Sequence, residues 1–402
     1  MKHCVKAQAK WEQKPKALTS RISRAPTASV LYQAVFEYSQ EFEYSYEERY
    51  QQEYGCLRKI VKESFESYLN CGIVRHGCAR VVCTECEHTE LLAFSCKRRG
   101  LCPSCDAKRA HIFAEHLQSD ILLEHPQVHV VFSIPKRLRL YFRYDRSLLK
   151  HYYRAAWEAW QAQIEDEHPE AATGSIMALH TAGELLNWHP HVHSLCLLGG
   201  IINGSFCKLS SIDLDYLTRC FRDNLLESLL EEELIDDTLV ATLKSWDHSG
   251  FNVWIGEELS SDQADARKFL ARYLKKSPVV LPRLEKIVKK QETFIRVNKA
   301  KDCTSNIAAY KDYSPLDFLA AVSQHIPNLW EQTTRYYGVY SARHRGAKRL
   351  AEPEVLEHST GLMPGHSTEL MPGELPPRPS RTWAACMKRV FELDPLECPP
   401  SA

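Results

Sequence analysis

Four short apolar runs punctuate the middle of the chain, and each gives way to a turn signal. VHVVFSIP stops at Pro135, GSIMALHT covers 174–181, HVHSLCLLGG covers 191–200 and FNVWIG covers 251–256. Compact runs rich in β-branched, aromatic and aliphatic residues predict buried strands. Between and around them the sequence predicts helices, over AKRAHIFAEHLQSDILLEH (107–125), about 145–165 and 211–245. In ADARKFLARYLKK (264–276), Ala266, Phe269, Leu270, Tyr273 and Leu274 recur at helical intervals before Pro278. That spacing predicts an amphipathic helix with Tyr273 on or beside its packed face. The alternation predicts an α+β fold built on an antiparallel sheet.

The two ends read differently. EYSQEFEYSYEERYQQEY (37–54) is acidic and Tyr-rich, without a clean apolar period, and is expected to be helical. HSTGLMPG (358–365) is followed at once by HSTELMPG (366–373) and then ELPPRPS. Such Pro-, Gly- and Ser-rich sequence buries too little apolar surface to fix one conformation, so a disordered tail is expected there.

Composition narrows the class. With 44% hydrophobic and 25% charged residues and zero formal net charge, the 402-residue chain reads as globular, and total charge argues neither for nor against nucleic acid. No apolar run reaches the roughly 18 to 20 residues of a membrane span. The basic N-terminus lacks the apolar core of a secretory signal, so a cytoplasmic protein is expected. In a reducing compartment, clustered cysteines point to metal before disulfides.

Seven of the fifteen cysteines fall between Cys71 and Cys105. Cys83 and Cys86 form one C-x2-C pair and Cys102 and Cys105 another, the spacing of a zinc ribbon with a closed, structural Cys4 shell. Cys71, Cys78, Cys96, His76 and His88 are left as packing residues or as parts of a second site. Lys97, Arg98 and Arg99 lie in the loop between the pairs and offer a phosphate-contacting surface or a merely solvated one.

NWHPHVHS (187–194) carries three of the 18 histidines. In a strand starting near Pro190, His191 and His193 share a face and Val192 takes the other, so the pair could hold one divalent ion. Glu184, seven residues before His191, is the candidate third ligand. An ordinary strand with packed imidazoles remains the alternative for the pair, and an ordinary core-edge residue for Tyr273.

The ordered set of ribbon, AFSCKRRGLCPSCDAKR, FSIPKRLR, H-x-H, FLARYLKKSPVVLPRL and RYYGVYSARHRG resembles the transposases of the IS ninety-one-like rolling-circle insertion sequences, of the HUH endonuclease superfamily. The resemblance spans about 56–350. It implies an HUH endonuclease domain with His191 and His193 as the metal-binding pair, Mg²⁺ or Mn²⁺ as the catalytic ion and Tyr273 as nucleophile. In many members FLARY carries two tyrosines; here the first position is Phe269, as in a single-tyrosine branch. The implied reaction nicks and joins single-stranded DNA at element ends through a 5′-phosphotyrosine, without a nucleotide cofactor, in the bacterial cytoplasm at the nucleoid. Arg272, Lys275 and Lys276 would orient the DNA backbone. Segments like WAACMKRVFELDPLECP in the group continue into a further C-x2-C at the position of Cys398, whereas here the sequence reads CPPSA, implying a shortened terminal module.

The expected organisation is an N-terminal helical region (1–60), a zinc-binding ribbon (61–118), the endonuclease domain (119–350) and a linker with a short terminal segment (351–402). Two other functions fit the same residues. A non-catalytic zinc-ribbon protein that binds nucleic acid would keep His191, His193 and Tyr273 apart. A zinc hydrolase would bring His189, His191 and His193 together.

Overall fold

The computed structural model describes residues 25–82, 89–246, 250–301 and 308–351. The expected tail beyond 351 and the first knuckle, Cys83 and Cys86, lie outside them. The acidic, Tyr-rich stretch is part of helix α1 (Val30–Tyr54), which opens with the Ser29 side chain accepting the Tyr32 N–H and closes at Gly55, where φ is 79°. Phe42, Tyr46, Tyr50 and Tyr54 recur every fourth residue, and successive rings lie 5.2, 5.8 and 6.2 Å apart. These four rings thus form one packed stripe, while Tyr44 and the exposed glutamates face water. Helix α2 (Lys59–Leu69), the antiparallel hairpin β1 (Cys78–Val82) and β2 (Thr89–Ala93), and helix α3 (Pro103–His116) follow.

Strand β3 (Gln127–Ser133) leads through α4 (Lys136–Tyr144) and α5 (Leu149–Glu167) to β4 (Gly174–Ala182) and β5 (Trp188–Leu197). A small hairpin, β6 (Gly199–Ile202) and β7 (Ser205–Lys208), precedes α6 (Leu214–Glu231), α7 (Asp237–Ser245), β8 (Asn252–Leu259) and α8 (Ala264–Tyr273). Strands β9 (Leu284–Lys289), β10 (Glu292–Asn298) and β11 (Tyr310–Tyr313) form a second sheet, before α9 (Pro315–Ser323), β12 (Thr334–Gly338) and α10 (Ala342–Ala351).

The central sheet has five strands in the order β12-β4-β5-β3-β8, every neighbouring pair antiparallel. The α+β expectation and all four predicted strands hold. The fifth, TRYYG, escaped notice because an edge strand of half-buried Arg and Tyr has no apolar run. One face, with Val130, Phe132 and Val192, packs against Trp160 of α5 and Phe221 of α6. The other, with Ile176, Ala178 and Leu195, packs against Phe113 of α3, Leu270 and Ala271 of α8, and Leu274 just beyond it. A third core joins Leu31 and Phe42 of α1, Phe65 of α2, Leu101 and Cys102, and Phe318 and Leu319 of α9.

Helix α8 is rotated from the predicted face. Arg267, Leu270, Ala271 and Leu274 are buried, whereas Phe269 is 46% exposed. A guanidinium fits inside because Arg267 donates to the Leu123 carbonyl at 2.6 Å. Among the described residues no helix is long and apolar enough to cross a membrane.

Candidate active site and metal centre

Strand parity orders the histidines. Val192 is fully buried in the α5–α6 core, so its neighbours His191 and His193 project from the opposite face, as the alternation predicted. The register then supplies a third ring: His180 of β4 stands directly opposite His191, and Ala178 opposite His193. His180, His191 and His193 each bring one nitrogen to a point where all three lie within 4.8 Å of one another. Glu184 is not in that group. It sits in the turn after β4, where its carboxylate pairs with Arg283 at 2.9 Å and accepts the Ala300 N–H at 3.1 Å. His189 is outside the group as well; its carbonyl faces His191 Nδ1 at 2.7 Å.

Hydrogen bonds assign the tautomers. His191 Nδ1–H donates to the His189 carbonyl, which frees Nε2 as a lone-pair donor. His180 Nε2–H points at the Leu274 carbonyl at 3.3 Å, freeing Nδ1. His193 Nδ1 lies 2.9 Å from Nε2 of His129, a β3 residue, while His193 Nε2 is buried without a hydrogen-bond partner. Orienting contacts on one nitrogen with the other left open are the usual setting of metal-bound imidazole. Burial holds His180 and His193 well below the ordinary histidine range, His191 at about 4 and His129 at about 4. The rings are therefore neutral at pH 7, the form that binds a metal. The donor set of three imidazoles fits a divalent transition ion better than Mg²⁺, which prefers oxygen ligands.

Tyr273 closes α8 against this cluster. Its ring centroid lies 5.1 Å from that of His193, 5.6 Å from His180 and 6.3 Å from His129. The ammonium of Lys276 sits 5.2 Å from the Tyr273 centroid. Tyr273, His180 and His191 border a cavity of about 300 Å³ whose wall also takes Arg99, Arg109, Arg283, Lys275 and Lys276. Asp106 and Glu184 are its acidic members, paired with Arg109 and Arg283 respectively. The surplus of cations suits a phosphate diester.

The basic residues expected on DNA divide by use. Arg98 donates to Ser67 Oγ at 3.1 Å, and Arg99 to the carbonyls of Glu331 and Asn328 at 2.7 and 3.1 Å, so both brace the fold, Arg99 from the cavity wall. Lys97 has φ of 52° and offers its carbonyl to Arg109. The Nε of Arg272 is buried without a hydrogen-bond partner. Lys275 bonds Thr334 Oγ1, and burial, with Arg109 and Arg99 nearby, lowers its ammonium to about 8.

A second donor group lies at the base of α3. Cys71, Cys96, Cys102 and Cys105 converge, with sulfur separations of 3.7 Å (Cys71–Cys102), 3.8 Å (Cys71–Cys105) and 3.6 Å (Cys96–Cys105). Four thiolates at Zn–S bonds of about 2.3 Å on a tetrahedron stand about 3.8 Å apart, so the group fits zinc. The Cys96 N–H points at Cys71 Sγ at 3.3 Å, and hydrogen bonds from the neighbouring thiols pull Cys71 below the ordinary thiol range. Cys102 and Cys105 were expected here, but their described partners are Cys71 and Cys96. The spacing argument passed over these two because neither belongs to a C-x2-C pair; the fold brings them in from the turn after α2 and the segment before α3.

Comparison with known proteins agrees with this architecture. The family described as "Transposase zinc-binding domain" matches residues 42–134, and that described as "Putative transposase" matches 174–348. The "Transposase for insertion sequence element IS801" of Pseudomonas savastanoi pv. phaseolicola is 29% identical over 360 residues, 86% of this chain and 83% of that protein. The "Putative transposase y4qJ" of Sinorhizobium fredii is 30% identical over 154 residues, 37% of this chain and 38% of that one. No solved structure matches. These matches describe a transposase with a zinc-binding domain ahead of the five-stranded sheet. Both matched families and the IS801 relative agree with the IS ninety-one-like insertion-sequence transposases that its motifs resemble.

Proposed function

We propose that this transposase is a metal-dependent nickase and strand transferase acting on single-stranded DNA at element ends, with Tyr273 as its nucleophile. Tyr273 Oη attacks phosphorus in line, the phenol proton leaves to solvent, the P–O3′ bond breaks, and the 3′ oxygen takes a proton. The products are a 5′-phosphotyrosine and a free 3′-hydroxyl. The covalent link conserves the bond energy, so rejoining to another 3′-hydroxyl needs no nucleotide cofactor. A divalent ion on His180, His191 and His193 would supply Lewis-acid polarisation of the phosphate. Lys276 favours negative charge developing on the phenol, and the cavity cations hold the flanking backbone.

The observation that supports this reading most directly is the seating of Tyr273 against the three-histidine group, 5.1 Å from His193 between ring centroids. A non-catalytic zinc protein gives no reason for that convergence, and a hydrolase gives none for the tyrosine. Incubated with Mn²⁺ and single-stranded DNA carrying the element ends, the native chain is expected to form a protein–DNA adduct that survives SDS. Equal adduct from Tyr273→Phe sinks the assignment.

A further inference from the structure

We propose that Trp330 is a stacking platform for an unpaired base of the DNA whose backbone enters the catalytic cavity. The inference deepens the tyrosine-nuclease reading and rests on it. Trp330 is 87% exposed, and Leu329 beside it is 63% exposed. Its φ is 66°, in the left-handed region that bulky side chains avoid. Such a conformation persists only where the surroundings over-determine it, and an observed outlier of this kind points toward function.

The surroundings here are unusually rigid for a surface turn. Arg99 donates to the carbonyls of Glu331 and Asn328 at 2.7 and 3.1 Å, bridging the two ends of the turn. Arg146 grips the Glu331 carboxylate with two bonds of 2.7 Å, and that carboxylate also accepts the Asn328 N–H at 2.9 Å. Arg58 donates to Asn328 Oδ1 at 2.8 Å and to the Ile326 carbonyl at 2.7 Å. Three guanidiniums therefore fix the backbone on both sides of an indole that packs on almost nothing. The chain holds an aromatic plane out in solvent at a cost in backbone strain.

What lies beside the plane identifies its partner. Trp330 borders a groove of about 910 Å³ that includes Lys275, Arg335 and Tyr336. Arg99, Lys275 and Thr333 line both this groove and the cavity beside Tyr273, so the two adjoin across these side chains. A flat aromatic flanked by cations, beside a cavity with a surplus of cations, fits a nucleotide: base on the indole, backbone on the cations. An apolar protein surface would meet charge on this side. Duplex DNA hides its base faces, so the platform selects single strands.

The test uses the full chain and fluorescently labelled oligodeoxythymidylate without added metal, so that binding is read apart from cleavage. Loss of one base–aromatic stack predicts about 5- to 150-fold weaker binding for Trp330→Ala, with Trp330→Phe keeping most of the affinity. Binding to a duplex of equal length should change little in either variant. The proposal is overturned if Trp330→Ala binds the single strand like the native chain, if Phe loses as much as Ala, or if single strand and duplex weaken equally. A parallel adduct assay with Tyr273→Phe separates the two readings. A Trp330 effect alongside a persisting adduct removes the nucleophile and leaves the platform; an absent effect alongside a lost adduct does the reverse.

Discussion

Replacing Cys71 or Cys96 by alanine tests the zinc assignment where residue spacing and fold disagree on the partners of Cys102 and Cys105. Spacing chooses Cys83 and Cys86; the structure converges Cys71 and Cys96 on sulfur separations of 3.6 to 3.8 Å. Structural zinc contributes about 10 to 16 kcal/mol in small zinc-folded peptides, so each of four thiolates carries about 2.5 to 4 kcal/mol. At 1.4 kcal/mol per factor of ten, losing one ligand weakens zinc by about two to three powers of ten. The effect should spread, because Cys102 and its fully buried neighbour Leu101 share a core with Phe42, Phe65 and Phe318. Against a competing chelator, Cys71→Ala and Cys96→Ala should release zinc and melt at lower temperature than the native chain, while Cys83→Ala should still hold zinc at this site. If Cys71→Ala and Cys96→Ala keep both zinc and melting temperature while Cys83→Ala and Cys86→Ala lose them, the spacing argument was right and the geometric one fails.

Three further outcomes follow from the cavity and its rim. His180→Ala should abolish Mn²⁺-dependent adduct formation whereas Glu184→Gln leaves most of it, since Glu184 is held by Arg283; the opposite pattern in an SDS-gel assay would restore Glu184 as the third ligand. Lys275 is lowered to about 8 by burial, so its charge is present at pH 7 and lost as pH rises through that value. Single-stranded DNA binding at fixed salt should therefore fall between about pH 7 and 9, and more steeply than in Lys275→Arg; parallel pH curves would contradict this. Trp330→Gly should relieve about 1–2 kcal/mol of left-handed strain against about 0.5–1 kcal/mol of added chain entropy. With the indole 87% exposed, little burial is lost, so the urea midpoint should rise slightly, and a clear fall would show that the indole packs in solution.

Legibility in the sequence followed the range of the interactions involved. Compact apolar runs sufficed for the four strands, and strand parity for the opposed directions of His191 and Val192, because both signals are local. His180 was in plain view in GSIMALHT, yet only the β4–β5 register sets it opposite His191; assuming that GSIMALHT and the H-x-H strand were hairpin neighbours would have aligned them. The cysteine group needed a closure spanning Cys71 to Cys105, and helical spacing could not foresee a buried Arg267 that turned Phe269 outward. Turn 328–331 had no periodic signal at all, since its geometry comes from arginines at 58, 99 and 146.

The same long-range wiring explains why a zinc-binding segment sits against α8, the helix that ends at Tyr273. Asp106, next to Cys105 and 6% exposed, accepts hydrogen bonds from the Gly100 N–H at 3.1 Å, Arg109 at 2.8 Å and Ser277 Oγ at 3.1 Å. Burial nonetheless raises its carboxyl to about 6. A folded pKa above the unfolded one disfavours folding at neutral pH, here by about 3 kcal/mol at 1.36 kcal/mol per unit, and the cost is relieved as pH falls toward 4. On stability alone a neutral side chain would serve better at pH 7. What the carboxylate provides is position: it ties the turn that carries Cys102 and Cys105 to Ser277, just beyond Tyr273. The Lys268–Glu115 ion pair fastens α8 to α3 on the same side. The zinc-binding segment therefore buttresses the wall of the cavity beside Tyr273.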